Sequence, residues 1–186
     1  MGKMQEVRIH GYGGQGTVTM ADLIAYAELL MGREIQTLPS FGMERRGSPV
    51  QTSMRLSDEE ILIRSNVHTP GYLAVLNEKL VGVAMGEGHA DRAHVVVNRS
   101  TSRSGSDWPD YGEEVSFYVI DAVEIARSND LELMGQPLIN IPMFGAMARI
   151  LGIPKEFIEA SIKHKWPKGD ISHSVKGAER GYEEVM

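Results

Sequence analysis

The spacing of apolar residues changes along the chain, and each change predicts an element. Val7-Arg8-Ile9-His10 is short and partly β-branched, which predicts a strand running into a glycine turn, Gly11-Tyr12-Gly13-Gly14-Gln15-Gly16. After the turn, Met20, Leu23, Ile24, Ala27, Leu30 and Met31 fall at i, i+3, i+4, i+7, i+10 and i+11, one face of a helix. Gly32 stands where a terminating glycine belongs, and residues 34–38 predict a second strand. Residues 51–56 and 61–64 are both strand-like and predict an antiparallel hairpin through a tight turn at Ser57-Asp58-Glu59-Glu60. Residues 72–76, 94–98 and 117–120 predict further strands, the second with three successive valines that suit a buried position. Residues 79–88 and 122–127 read as short helices and the polar stretch 100–112 as a loop.

From about residue 136 the pattern is helical. Pro142 suits a first helical turn, with Phe144, Met147, Ile150 and Leu151 on one face. Pro154 opens a helix bearing Phe157, Ile158 and Ile162, and Val175, Ala178, Tyr182 and Val185 line a last one. Strands separated by helices predict a three-layer α/β/α domain over 1–186, with a mostly parallel, mixed sheet and a helical tail at 136–186.

Composition narrows the chemistry. The 186 residues are 42% hydrophobic and include no cysteine, so a core is affordable while disulfides, cysteine-held zinc, thiolate-bound clusters and thiol nucleophiles are excluded. A net charge of -6 argues against non-specific nucleic-acid binding. No stretch approaches the ~20 apolar residues of a membrane span. The first residues, Met1-Gly2-Lys3-Met4-Gln5-Glu6, lack the apolar core of a secretion signal, which predicts a mature cytoplasmic protein.

Two segments carry candidate chemistry. Gly11-x-Gly13-x-x-Gly16 lies between a strand and a helix, where glycines let backbone approach a ligand and the helix N-terminus favours an anion. A dinucleotide site also wants an acidic residue at the end of the second strand, and Thr37-Leu38-Pro39 supplies none. The glycines therefore serve either an anion or cofactor, or only a tight turn and close helix–sheet packing. The second segment is Ser40-Phe41-Gly42-Met43-Glu44-Arg45-Arg46-Gly47-Ser48-Pro49. Paired arginines could clamp a phosphate in fork geometry, with Glu44 orienting one of them. A subunit contact or a solvated turn are the other readings. In a parallel arrangement this loop emerges at the same strand edge as the glycine turn.

The stretches Ile9 to Gly16, Pro39 to Val50 and Ile63-Arg64-Ser65 resemble, in residues and spacing, the gamma subunit of 2-oxoacid:ferredoxin oxidoreductases, most of all the pyruvate and 2-oxoisovalerate branch. The similarity continues more weakly through residues 140–152 and Ala178 to Tyr182. The resemblance implies a multisubunit enzyme that decarboxylates a 2-oxoacid on thiamine diphosphate and passes the acyl group to coenzyme A. Electrons leave through iron–sulfur clusters to ferredoxin. Thiamine diphosphate, magnesium and clusters are then held by thiamine-diphosphate-binding and ferredoxin-like partner subunits. The resemblance implies that this chain closes the active centre and helps bind coenzyme A. Gly11, Gly13, Gly14, Gln15, Gly16, Glu44, Arg45, Arg46 and Gly47 are the residues the resemblance places towards that centre, with no catalytic residue of its own. Tyr12 replaces a frequent arginine, and Pro70-Gly71-Tyr72 and Asn77 stand where many members carry aspartates.

Other features point nowhere sharper. The six histidines show no ligand spacing, Asp58-Glu59-Glu60 suits a solvated turn, and no Gly-x-Ser-x-Gly elbow is present. Trp108 and Trp166 are candidate interface anchors. Two rivals remain: an autonomous nucleotide-binding, Rossmann-like oxidoreductase and a non-enzymatic assembly subunit.

Overall fold

The structure is a computed structural model that describes residues 4–39, 48–100 and 108–186. Its centre is a six-stranded sheet in the order β2-β3-β1-β4-β5-β6. The strands are β1 (Gln5–Tyr12), β2 (Glu34–Pro39), β3 (Pro49–Ser57), β4 (Tyr72–Val75), β5 (Ala93–Asn98) and β6 (Val115–Ile120). β1, β4, β5 and β6 run parallel, whereas β3 is antiparallel to both β1 and β2. The helices are α1 (Thr17–Leu30), α2 (Val81–Gly86), α3 (Ala122–Ser128), α4 (Asn140–Leu151), α5 (Glu156–Lys165) and α6 (Ser172–Glu184). A short separate pair, β7 (Glu132–Leu133) and β8 (Gln136–Pro137), connects α3 to α4.

Strand alternation explains the three layers. Ala74 and Leu76, with Val7, Ile9, Met54, Leu56 and Val96, face the large core beneath α1 and α3 to α6. Leu73, Val75, Val95 and Val97 point the other way, under α2. Buried polar residues take the alternate positions of β1 and β3 on that second face. Arg8 donates to His10 Nε2 and to the carbonyls of Ala84 and Gly88, and Arg55 pairs with Glu6 at 2.8 Å and donates to the carbonyls of Ser65 and Asn66. These guanidiniums fasten the end of α2 and the irregular chain at Ser65 and Asn66 to this face of the sheet.

α4 and α6 touch more closely than ordinary helices. A Cβ at Gly145 would overlap the Ala178 carbonyl, and one at Gly181 the Pro142 carbonyl. Glycine at these two positions is what lets the backbones approach. Gly32, with φ +77, ends α1 as the sequence suggests.

The expected hairpin is corrected. Residues 61–64 form no strand, and Leu62 and Ile63 are exposed. β3 already has neighbours on both sides, so no free edge remains for that segment. The neighbour in sequence that pairs antiparallel with β3 is instead β2, the preceding strand, with β1 on its other side. The pair β7 and β8 has no counterpart in the sequence reading, because two-residue strands leave almost no periodicity.

Candidate functional site

The parallel strands end together at one edge of the sheet, the edge at which open α/β sheets hold ligands. The glycine turn begins there, at the end of β1. It closes on itself: the Tyr12 N–H donates to Gln15 Oε1 at 2.7 Å, and the Gln15 N–H donates to the Tyr12 carbonyl at 3.0 Å. The Gly13 N–H donates to the Ser48 carbonyl at 2.9 Å, next to the Tyr12–Pro49 pair that ends the β1–β3 ladder.

The glycines divide into two roles. A Cβ at Gly11 would come within 2.8 Å of Thr17, and one at Gly16 within 2.8 Å of Asn140 at the start of α4. Gly16 also has φ +81 and precedes the first turn of α1. These two serve close packing and backbone conformation. Gly14, with φ +95, faces open space, and with Gly13 it borders a cleft of about 620 Å³. α1 has no acidic residue in its first turn and no side-chain cap, so its own side chains leave the positive end of the helix dipole uncompensated.

Asn77 after β4 and Asn98 at the end of β5 also line the cleft, together with the apolar Val123, Leu133, Met134 and Ile139. Asn98 is almost fully buried, donating to the Leu76 carbonyl and accepting from the Ala122 N–H, both at 3.0 Å. It thereby ties together the ends of three strands. Asn77 accepts from the Lys79 N–H and caps a short 3₁₀ turn. An adjoining hollow of about 750 Å³ shares Asn77 and Asn98 and adds Lys79, Arg99, Asp121, Glu124 and Arg127. Arg99 is paired with Glu78 at 3.3 Å and lies 5.3 Å from the Trp108 ring centre.

Of the nine residues singled out in the sequence, Gly11 to Gly16 lie at this edge. Glu44, Arg45, Arg46 and Gly47 lie outside the described residues, but both flanking ends do not. Pro39 ends β2, which runs in the direction of β1, and Ser48 is bonded to Gly13. The dinucleotide arrangement, already short of its acid in the sequence, is not favoured by the strand order either. β3 lies between β1 and β2, so the tip of β2 stands about 10 Å from β1, two strand spacings away, and offers no acid.

His10, just before the turn, is buried and held neutral. Burial, reinforced by the Arg8 guanidinium, lowers its pKa from 6.5 to about 3, and Nε2 is held as an acceptor. Among the described residues no group of three His, Asp or Glu side chains is placed to hold a metal, and no helix is long and apolar enough to cross a membrane. Sequence reasoning missed Asn77 and Asn98 as cleft residues. Their signal was positional, each being the residue at which an apolar run stops.

The chain matches the model of the family described as pyruvate ferredoxin/flavodoxin oxidoreductase over residues 6–184. It is 37% identical to the pyruvate synthase subunit PorC of Methanothermobacter thermautotrophicus, covering 98% of this chain and 96% of that one. It is 35% identical to the common subunit gamma of the pyruvate/ketoisovalerate oxidoreductases of Pyrococcus furiosus, covering 98% and 97%. The fold recurs, at 20% identity and a TM-score of 0.79, in the 2-oxoglutarate:ferredoxin oxidoreductase of Magnetococcus marinus, a structure with 2-oxoglutarate, coenzyme A and succinyl-CoA bound. That match takes in 97% of this chain and 31% of the longer one.

Proposed function

Because the chain belongs to the pyruvate ferredoxin/flavodoxin oxidoreductase family, we propose that it acts as the gamma subunit of a 2-oxoacid:ferredoxin oxidoreductase, completing an active centre that it does not itself contain. Oxidative decarboxylation of the 2-oxoacid takes place on partner subunits in the cytoplasm. A thiamine-diphosphate-binding partner with its magnesium holds the substrate, and a ferredoxin-like partner with iron–sulfur clusters carries electrons to ferredoxin. A chain without cysteine has no thiolate to offer a cluster. By itself the chain is inert.

Its contribution is to close the centre and to help hold coenzyme A. The observation that carries this reading is the bond from the Gly13 N–H to the Ser48 carbonyl, which joins the glycine turn to the end of the segment bearing Glu44, Arg45, Arg46 and Gly47. Backbone N–H groups at an uncapped helix start suit a phosphate-bearing substrate, and the sequence supplies a guanidinium pair, Arg45 and Arg46, in the segment that leads to Ser48. The assembly-only alternative is disfavoured by the open cleft at Gly13 and Gly14, since a purely structural turn has no need to leave that edge uncovered.

The test is Arg45→Ala and Arg46→Ala in the assembled enzyme. The expected result is a raised KM for coenzyme A, with the 2-oxoacid KM little changed. Unchanged coenzyme A KM together with unchanged complex yield sinks the assignment.

A further inference from the structure

The pair β7 and β8 is joined by only two residues, Met134 and Gly135, both with positive φ, at 51° and 74°. Two-residue hairpin turns of this type favour Asn, Asp or Gly at the first position, because an L side chain in the left-handed region is strained and those short polar residues can compensate locally. Methionine compensates nothing there. It is also 90% exposed, beside Leu133 at 62%, so burial within this chain does not account for either side chain.

The tip sits at a particular place. Leu133 and Met134 border the same cleft as Gly13 and Gly14. The base of the hairpin is fixed: the Leu138 N–H donates to the Leu131 carbonyl at 2.8 Å, and Leu131 is buried in the main core. Glu132 and Gln136 flank the two apolar side chains and are exposed. The result is an apolar tip flanked by two exposed polar residues and held on a firm stem, which is the layout of an interface anchor. Methionine suits the task, being unbranched and polarizable.

We propose that the Leu133–Met134 tip docks into an apolar recess on the partner subunit that carries the 2-oxoacid chemistry, fixing that subunit over the cleft. This rests on the gamma-subunit reading, which requires a partner on this edge, and adds where it is gripped. The strained turn is kept because the side chain it presents is used outside the chain.

Met134→Asn separates folding from docking, since asparagine relieves the turn while removing the apolar group. The isolated variant should melt at or above the wild-type temperature. Its affinity for the remaining subunits, measured by calorimetric titration, should fall by roughly tenfold or more, the scale of a lost anchor. Leu62→Asn, an exposed apolar residue that does not border the cleft, should leave affinity unchanged. Wild-type affinity in Met134→Asn overturns the docking role. A raised coenzyme A KM at unchanged subunit affinity also overturns it, making the tip a ligand lid instead. Failure of the wild-type chain itself to bind those subunits overturns the gamma-subunit reading, a result distinct from both.

Discussion

Replacing Gly16 by alanine tests whether the last glycine of the turn is needed for packing or only for shape. Two costs add. Holding alanine at φ +81 costs about 1–2 kcal/mol, the usual penalty for an L residue in the left-handed region. The new methyl would also lie 2.8 Å from both Cγ and Nδ2 of Asn140, whose side chain is buried and has little room to retreat. Overpacking of this kind costs about 1–3 kcal/mol. The sum is about 2–5 kcal/mol, which for a chain of this length lowers Tm by about 2–4 °C per kcal/mol. Gly14→Ala is the control, because Gly14 has φ +95 but nothing within 4 Å, so it should lose about 1–2 kcal/mol and no more. Urea unfolding of both variants, with Asn140→Ala combined with Gly16→Ala, resolves the two costs. The double variant should recover part of the loss, as Asn140 Cβ alone remains, at 3.1 Å. Equal losses at Gly14 and Gly16, or no coupling between Gly16 and Asn140, would refute the packing argument.

The remaining expectations concern the core. Gly181→Ala places a methyl into the Pro142 carbonyl, which is backbone and has nowhere to go; α4 and α6 must part, and urea unfolding should show a loss of about 3 kcal/mol or more. Gly82→Ala in α2 meets nothing within 4 Å and should instead stabilise by about 0.5–1 kcal/mol in the same assay. His10 sets a pH dependence. Its folded pKa, about 3, lies below its ordinary 6.5, so only the unfolded chain takes up a proton between those values and stability falls as pH drops through that window. Between pH 7.5 and 5.5 the loss from this group is about 1.4 kcal/mol. Urea midpoints at the two pH values should therefore lie closer together in His10→Gln than in the wild type, and an identical separation would contradict the assignment.

Much of this was legible in the sequence, for reasons that differ along the chain. Long periodic stretches such as α1, and the valine run of β5, declare themselves because tertiary packing only reinforces what their spacing requires. Residues 61–64 misled because their alternation suits a strand, yet pairing is decided by which edge is vacant, and β2 and β1 had taken both edges of β3. The same insertion of β3 undoes the dinucleotide pattern, although Gly11-x-Gly13-x-x-Gly16 stands in the right local context. The sequence offered two uses for the glycine motif, packing and an open edge, but nothing in the spacing said that Gly11 and Gly16 would be packed and Gly13 and Gly14 would border a cleft. That depended on Thr17 and on Asn140, a residue far away in the chain. Asn98 was invisible as a clamp because its partners, Leu76 and Ala122, come from different elements.

A chain that completes a centre shared with other subunits must be required for their turnover. Reconstitution tests it most directly: the partner subunits are assayed for 2-oxoacid-dependent, coenzyme A-dependent reduction of a low-potential dye, with the chain withheld and then restored. Turnover should appear only on restoration, and the chain alone should show none. Full turnover by the partners without it would contradict the claim.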